Sequence, residues 1–391
     1  VTRAEASRLA EGNPFSFLHV GRSDIDLPAE TDPHDTAVYA AARTTLDRFC
    51  REGTLVRDAD PSLYVYELTW RGQVQRGVVG CVHIDDYATD VIRKHERTRP
   101  DKEDDRTRHV LTLDANAEPV FLTYRADAAV DTLVERVVTR EPLYDFTADD
   151  GVRHRVWTVD DPAAVVRAFA AVPLAYVADG HHRSASAWRA GTERRAANPS
   201  HTGAEPYNWF LAVLFPADQV AILPYNRVVR DLGGATPDEI RTRLATLGVF
   251  HPVSPEAAAP DRPGQFGIYL DGQWYHLTLT ADPARAGDPV ASLDAAMLQE
   301  QVLGPVLGIG DPRTDSRIDF VGGIRGTADL SRRVDDGEAA LAVAMAPVTV
   351  DQLMAIADRG GIMPPKSTWF EPKLRSGLFV HTLDENGRAS P

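Results

Sequence analysis

Along the chain, hydrophobic and polar positions switch between a period near 3.6 and a period of 2, and the switches mark out the elements. HDTAVYAAARTTLDRFCREG (34–53) keeps helical spacing and stops on a glycine, so a helix is predicted there. LYVYELTW (63–70) and QVQRGVVGCVHI (73–84) flank Arg71 and Gly72 and predict a β-hairpin. PVFLTYRA (119–126) and VRHRVWTV (152–159) read as strands, TLVERVVTR (132–140) and DPAAVVRAFA (161–170) as helices, the last with a Pro162 start. NWFLAVLFP (208–216) and QVAILPYNRVV (219–229) predict a second hairpin. GGATPDEIRTRLATLG (233–248) is a capped amphipathic helix, and GQFGIYLDGQWYHLTLT (264–280) a hairpin turning at Asp271 and Gly272. The Ala/Pro/Gly/Asp-rich piece 281–289 reads as a linker. Beyond it come a helix at 293–307, the strand RIDFVGG (317–323), the apolar run EAALAVAMAP (338–347) and a helix at 349–360. Disorder is expected only over roughly the last ten residues. These texture changes divide the chain at 1–230, 231–289 and 290–391.

One switch carries chemistry. The apolar run AVPLAYV (171–177) leads into ADGHHR (178–183), and SASAWRA then begins a helix. Asp179, Gly180, His181, His182 and Arg183 therefore sit on a strand-to-helix turn, where unpaired amides and the positive end of the helix dipole favour an anion. Gly180 lets the backbone approach a ligand closely, and Arg183 can grip phosphate oxygens as a fork. The two histidines add proton-transfer or metal-binding capacity. A polar loop capping a helix draws on the same residue types. The order strand, acid, glycine, histidines, arginine, helix is what marks the turn as a candidate site.

Composition narrows the class. The 391 residues are 43% hydrophobic and 25% charged, which fits a globular protein with a sizeable core. A net charge of -15 argues against nucleic acid and against an anionic membrane surface as partners. No apolar run reaches membrane-spanning length and no secretory signal is visible, so a cytoplasmic location is expected. Cys50 and Cys81 stand alone, with no CxxC and no Cys/His cluster, which excludes a disulfide framework or a structural zinc site. Lysine is scarce: Lys94, Lys102, Lys366 and Lys373 are all there are, in two close pairs. In an arginine-dominated chain, a retained lysine suggests a place where a compact ammonium is required.

Those pairs define two further segments. RKHERTRPDK (93–102) sets His95 and Glu96 among cations, where a carboxylate can be a general base, a magnesium ligand or an ion-pair partner. PPKSTWFEPK (364–373), followed by Arg375, places Lys366 beside the hydroxyls of Ser367 and Thr368, a set suited to phosphate. The glycine pattern of a P-loop is missing ahead of Lys366, and GxGxxG, HExxH and GxSxG do not occur.

At these residues the chain resembles a known family. ADGHHRSASA, RKHERTRPDKEDDR, NWFLAVLFPADQVAILPYNR, RIDFVGG and GIMPPKSTWFEPKLRSGLFVH look like the large prokaryotic family catalogued as domain of unknown function one thousand and fifteen, and NPFSFLHVGRSDIDLP fits its N-terminal region. Members of that family usually carry a further segment ahead of this point, so one is expected before Val1. The turn at 179–183 is also similar to the phosphate-binding turn of the ParB/sulfiredoxin superfamily, in which free-serine kinases carry a comparable Asp-Gly-(His/Asn)-His-Arg turn.

The resemblance implies an α/β fold: a ParB/sulfiredoxin-like nucleotide-binding core elaborated with β-hairpins and an α/β C-terminal portion. It implies a kinase that moves a phosphoryl group from ATP or ADP, with Mg2+, to a small hydroxylated metabolite, free L-serine first. The amides of 180–184 with Gly180, Arg183 and Ser184, together with His95, Lys366, Ser367 and Thr368, would hold phosphates. Asp179 or Glu96 would hold magnesium or take the hydroxyl proton, and His181 or His182 would donate to the transferred group. Arg375 would take a substrate carboxylate, and Asn226 would also contact substrate. The alternatives are a ParB-like nucleotide-hydrolysing switch and a metal-dependent hydrolase built on His95, Glu96, His181 and His182; a homodimer stays open. One shared site requires 95–96, 179–183 and 366–375 to converge.

Overall fold

The computed structural model describes residues 2–285 and 287–384, so the expected disordered tail falls largely outside the described residues. The chain divides into two compact units: Val1–Val220 with Pro372–Pro391, and Ala221–Glu371.

The first unit contains the strands β1 (Tyr64–Trp70), β2 (Gln73–His83), β3 (Ile92–Arg93), β4 (Ala115–Asn116), β5 (Val120–Tyr124), β6 (Tyr144–Thr147), β7 (Arg153–Thr158), β8 (Ala175–Asp179) and β9 (Trp209–Pro216). Eight of them form one mixed sheet in the order β3-β8-β5-β9-β2-β1-β7-β6, with β3–β8 and β5–β9 the parallel pairs. The β1–β2 hairpin closes on Arg71 (φ 49°) and Gly72 (φ 80°), the pair of left-handed residues that a two-residue turn needs. β5 is buried at every position, which its unbroken apolar run VFLTY foretells for a central strand. The helix His181–Ala197 lays Ala185 and Ala187 against Val120, Leu122, Val177 and Phe210, so small residues bring it close to the sheet. A separate cluster joins Val65, Val78, Tyr124 and Trp157 to Val130 and Val134 of the helix Ala128–Val137.

The second unit contains β10 (Ala221–Leu223), β11 (Tyr225–Val229), β12 (Gly248–Val253), β13 (Gln265–Leu270), β14 (Gln273–Leu279), β15 (Ile318–Gly322), β16 (Leu341–Ala344) and β17 (Trp369–Glu371). Six build an antiparallel sheet, β12-β14-β13-β16-β11-β15, and β10 pairs with β17. Alternation sorts the two faces: Val229, Ile268 and Val343 join one core cluster, while their neighbours Val228, Tyr269 and Ala342 join the other.

The mixed α/β class and the hairpins at 64–83 and 265–279 agree with the sequence reading. Two expectations do not hold. β9 is flanked by β2 and β5, so it has no free edge for the next strand, and 208–216 with 219–229 is not a hairpin. The cut expected at 289 is absent because β13 and β14 share a sheet with β15 and β16, joining 231–289 to the residues that follow. No helix among the described residues is long and apolar enough to cross a membrane.

Gly191, in the helix His181–Ala197, tests how tightly that helix is seated. A β-carbon there would stand 2.3 Å from the Tyr207 carbonyl oxygen and 2.8 Å from Ile84 Cδ1. Gly191→Ala gains helix propensity of about 1 kcal/mol. It should nevertheless lower stability by a net of about 1–3 kcal/mol through overpacking, read as a lower urea midpoint.

Candidate functional site

β8 ends at Asp179, opposite Phe121, and the β5–β8 register shifts between Phe121 and Leu122, a bulge beside the turn. Gly180 follows with φ 106° and ψ 32°, and the helix begins at His181 without a side-chain cap. The backbone here favours glycine, and a side chain would also make Arg183 shift. The backbone is left-handed, and a β-carbon would lie 2.9 Å from Arg183 Nε and 3.0 Å from its Nη2. The Ser184 amide donates to the Gly180 carbonyl at 2.9 Å, and its hydroxyl also bonds within the turn, so Ser184 closes the first helical turn and its side chain is buried.

Charged groups ring this turn. Lys373 Nζ donates to Asp179 Oδ2 at 3.1 Å, Arg183 Nη2 lies 3.9 Å from the same oxygen, and Arg183 Nη1 donates to Glu118 Oε2 at 3.4 Å. Ser376 Oγ donates to Glu118 Oε1 at 3.4 Å. Burial acts to raise the Asp179 carboxyl, but Arg183 and Lys373 outweigh it and hold it at about 2. Burial also acts to raise Glu118, and Arg183, Arg106 and His109 bring it below the usual range. A cavity of about 30 Å³ lies against Arg106, His109, Asn116, Glu118, Arg183 and Ser186. It has room for about one water or one phosphoryl oxygen. Asn116 Oδ1 and Arg183 Nε, both buried, have no hydrogen-bond partner.

The histidines do different work. His95, on the loop after β3, is 1% exposed and meets His181 edge to face, ring centroids 4.4 Å apart. Burial pushes His181 down to about 4, against the pull of Asp179. His95 is driven well below its ordinary value by burial and then by His181. The Val177 backbone bears on His95 electrostatically, yet neither of its ring nitrogens, nor His181 Nε2, reaches hydrogen-bond geometry. Both rings are neutral at pH 7. His182 Nε2 accepts from the Arg99 amide at 3.1 Å, which ties the turn to the start of the helix Pro100–Leu113. Glu96 is half-buried on the His95 loop and is engaged by its surroundings.

Arg375 is already committed. Its Nη2 donates to Asp150 Oδ2 at 2.7 Å and lies 3.4 Å from His154 Nε2, and its amide donates to Tyr66 Oη at 3.3 Å. Tyr66 Oη and His154 Nδ1 are 2.6 Å apart, and both residues are fully buried. An incoming carboxylate would compete with Asp150.

Lys366, Ser367, Thr368 and Asn226 belong to the second unit. Lys366 has φ 57° and is exposed, whereas the Ser367 hydroxyl is spent on the Pro364 carbonyl at 2.7 Å. Asn226 is 3% exposed and its Oδ1 accepts from the Met345 amide at 3.0 Å, so it joins two strands and has no surface to offer a substrate. Within the first unit, then, the turn gathers the His95–Glu96 loop and the 373–376 segment. Sequence reasoning missed Glu118 and Asn116 at this place. Lys373 was visible only as one of the scarce lysines.

Among the described residues, no group of three or more His, Cys, Asp or Glu side chains is arranged to hold a metal ion. Asp179, already faced by an ammonium and a guanidinium, does not fit as a magnesium ligand.

Residues 1–296 match the model of the family described as Protein of unknown function (DUF1015), and the chain belongs to that family. The 363–377 motif lies beyond the matched stretch. No curated protein matches the chain. Among solved structures, it is similar to a free serine kinase in complex with AMP at 13% identity and a TM-score of 0.36, covering 75% of this chain and 86% of that one. SbnI with C-terminal truncation from Staphylococcus aureus gives 13%, 0.38, 78% and 86%. A conserved hypothetical protein from Pyrococcus furiosus gives 13%, 0.35, 76% and 93%.

The buried histidines set a pH signature. A base whose folded pKa lies below its unfolded value contributes stability fully present above about 6.5 and lost as pH falls through the folded pKa. For His181 that window runs from about 6.5 down to about 4. His181→Gln should flatten the stability profile between those pH values by up to about 3 kcal/mol, measured by urea denaturation at pH 7 and pH 4.5. An unchanged slope would place His181 in a solvated site.

Proposed function

We propose that the first unit binds the phosphates of ATP or ADP at the 179–183 turn and transfers a phosphoryl group to the hydroxyl of a small metabolite, with free L-serine the acceptor of first choice. The observation that carries the reading is the turn itself. A left-handed glycine opens an uncapped helix, and Arg183 and Lys373 stand around one ionised aspartate. The resemblance of Asp-Gly-His-His-Arg to the turn of free-serine kinases supports the same reading.

Phosphoryl transfer asks mainly for positioning and charge neutralisation. The acceptor oxygen attacks the terminal phosphorus, the bond to the leaving nucleotide oxygen breaks, and the hydroxyl proton passes to a carboxylate. Held at about 2, Asp179 is too weak a base for that proton, and its role is to orient Arg183 and Lys373. Glu96 is the base of choice. The turn amides and Arg183 take the phosphate oxygens, and Lys373 swings from Asp179 to the transferred group. His181, neutral and with Nε2 unpartnered, donates a hydrogen bond in its Nε2–H tautomer. The small cavity receives one phosphate oxygen, leaving the sugar and base outside it. Any Mg2+ would be held by phosphate oxygens.

Arg183→Ala should weaken nucleotide binding by about 1.5–3 kcal/mol, about ten- to a hundredfold, in calorimetric titrations. Unchanged affinity would remove the turn from the site. Transfer itself is tested by phosphorus NMR over a panel of hydroxyl metabolites, with serine expected to give a phosphomonoester. Nucleotide hydrolysis independent of any acceptor would favour the switch over the kinase.

A further inference from the structure

The second unit presents a feature that the proposed reaction does not use. Lys366 occupies the third position of the turn formed by Pro364, Pro365, Lys366 and Ser367, with φ 57°. A proline followed by a left-handed residue is the pattern of a type II turn, where glycine is the unstrained choice. Holding a lysine there is a backbone outlier of the kind that points to a use for its side chain. The turn is fixed from behind. Arg227 Nη2 donates to the Lys366 carbonyl at 3.0 Å, and Ser367 Oγ anchors to Pro364.

Arg227 adds a second, independent observation. It is 4% exposed, the only arginine in the buried set of the described residues. Its donors meet backbone carbonyls of Tyr225, Asn226 and Lys366, and its guanidinium lies 4.5 Å from the Phe320 ring centroid. No carboxylate among the described residues pairs with Arg227 or with Lys366. Both cations lie over the same Tyr225 ring, at 5.8 Å and 5.9 Å. Arg227 is a desolvated cation that no carboxylate neutralises, a costly arrangement that a nearby anion relieves.

We propose that the second unit carries its own phosphate site at the 364–367 turn, with the Lys366 ammonium as the contact group and a small phosphorylated molecule as the ligand. A lysine binds phosphate as a point charge, and Arg227 supplies positive field from beneath without needing to touch the ligand. Arg227 is thus a positioning residue. Its residues all belong to the second unit.

Inorganic pyrophosphate is the probe, titrated calorimetrically into full-length protein. The Arg183→Ala protein should still bind it. Adding Lys366→Gly to that protein should weaken the remaining binding about tenfold or more. The glycine variant should also unfold at a temperature no lower than its parent, because glycine takes φ 57° without strain. Lys366→Gln should lose the same affinity. Loss of all pyrophosphate binding in Arg183→Ala, or unchanged binding in either Lys366 variant, would overturn the proposal. Nucleotide affinity unaltered by Arg183→Ala would instead overturn the reading of the first unit, leaving the Lys366 comparison intact.

Discussion

Arg183 lies against bare backbone at Gly180, so close that any side chain at 180 would push it away. From that seat the guanidinium bridges Asp179 and Glu118, and each carboxylate then engages the returning C-terminal segment, through Lys373 and Ser376. Arg106, which lines the adjoining cavity, also acts on Glu118. The place therefore holds Arg106, Arg183 and Lys373 against Asp179, Glu118 and Asp105, which lies 3.9 Å from Arg106, so the charges balance in a partly desolvated setting. Arg183 and Lys373 stand between Asp179 and any ligand, so an added cation has to displace an ammonium first.

Burial rather than exposure governs the histidines. His95 and His181 pack as a neutral pair beneath the turn, and His154 is held near 4, chiefly by burial and then by Arg375. Neutral imidazoles keep the turn from accumulating further positive charge at pH 7, and below about pH 6 they become a burden on folding.

Much of this fold was legible in the sequence because its signals were local. Arg71-Gly72 and Asp271-Gly272 dictate their hairpins through left-handed residues, and Thr236 with Glu239 forms the capping box that the 233–248 pattern suggested. Long-range pairing was not legible. Nothing in NWFLAVLFP tells that β2 and β5 occupy both its edges, and so the apparent hairpin with 219–229 was an artefact of adjacency. At the site, Asp179, Gly180 and Arg183 stood out because strand, glycine and helix are adjacent in the chain. Glu118 precedes an ordinary apolar strand and has no local mark; only the fold brings it to Arg183. Asn226 and Ser367 misled for the opposite reason, since polar side chains beside a motif can be spent entirely on backbone carbonyls and amides.

The first unit is discontinuous: residues up to Val220 are completed by Pro372 onward, after the whole of Ala221–Glu371. His381 and Thr382 pair with Asn116 and Ala115 of β4, which anchors that late segment. During synthesis the glycine turn, Arg183 and Glu118 all leave the ribosome well before Lys373 and Ser376. At about 5–20 residues per second the delay is on the order of ten seconds or more. Over that interval Asp179 and Glu118 face Arg183 without their second partners, and the charge at the turn is short by one. A nascent or prematurely terminated chain thus holds the glycine turn without its ammonium, and the phosphate binding proposed for the turn would be a property of the finished polypeptide.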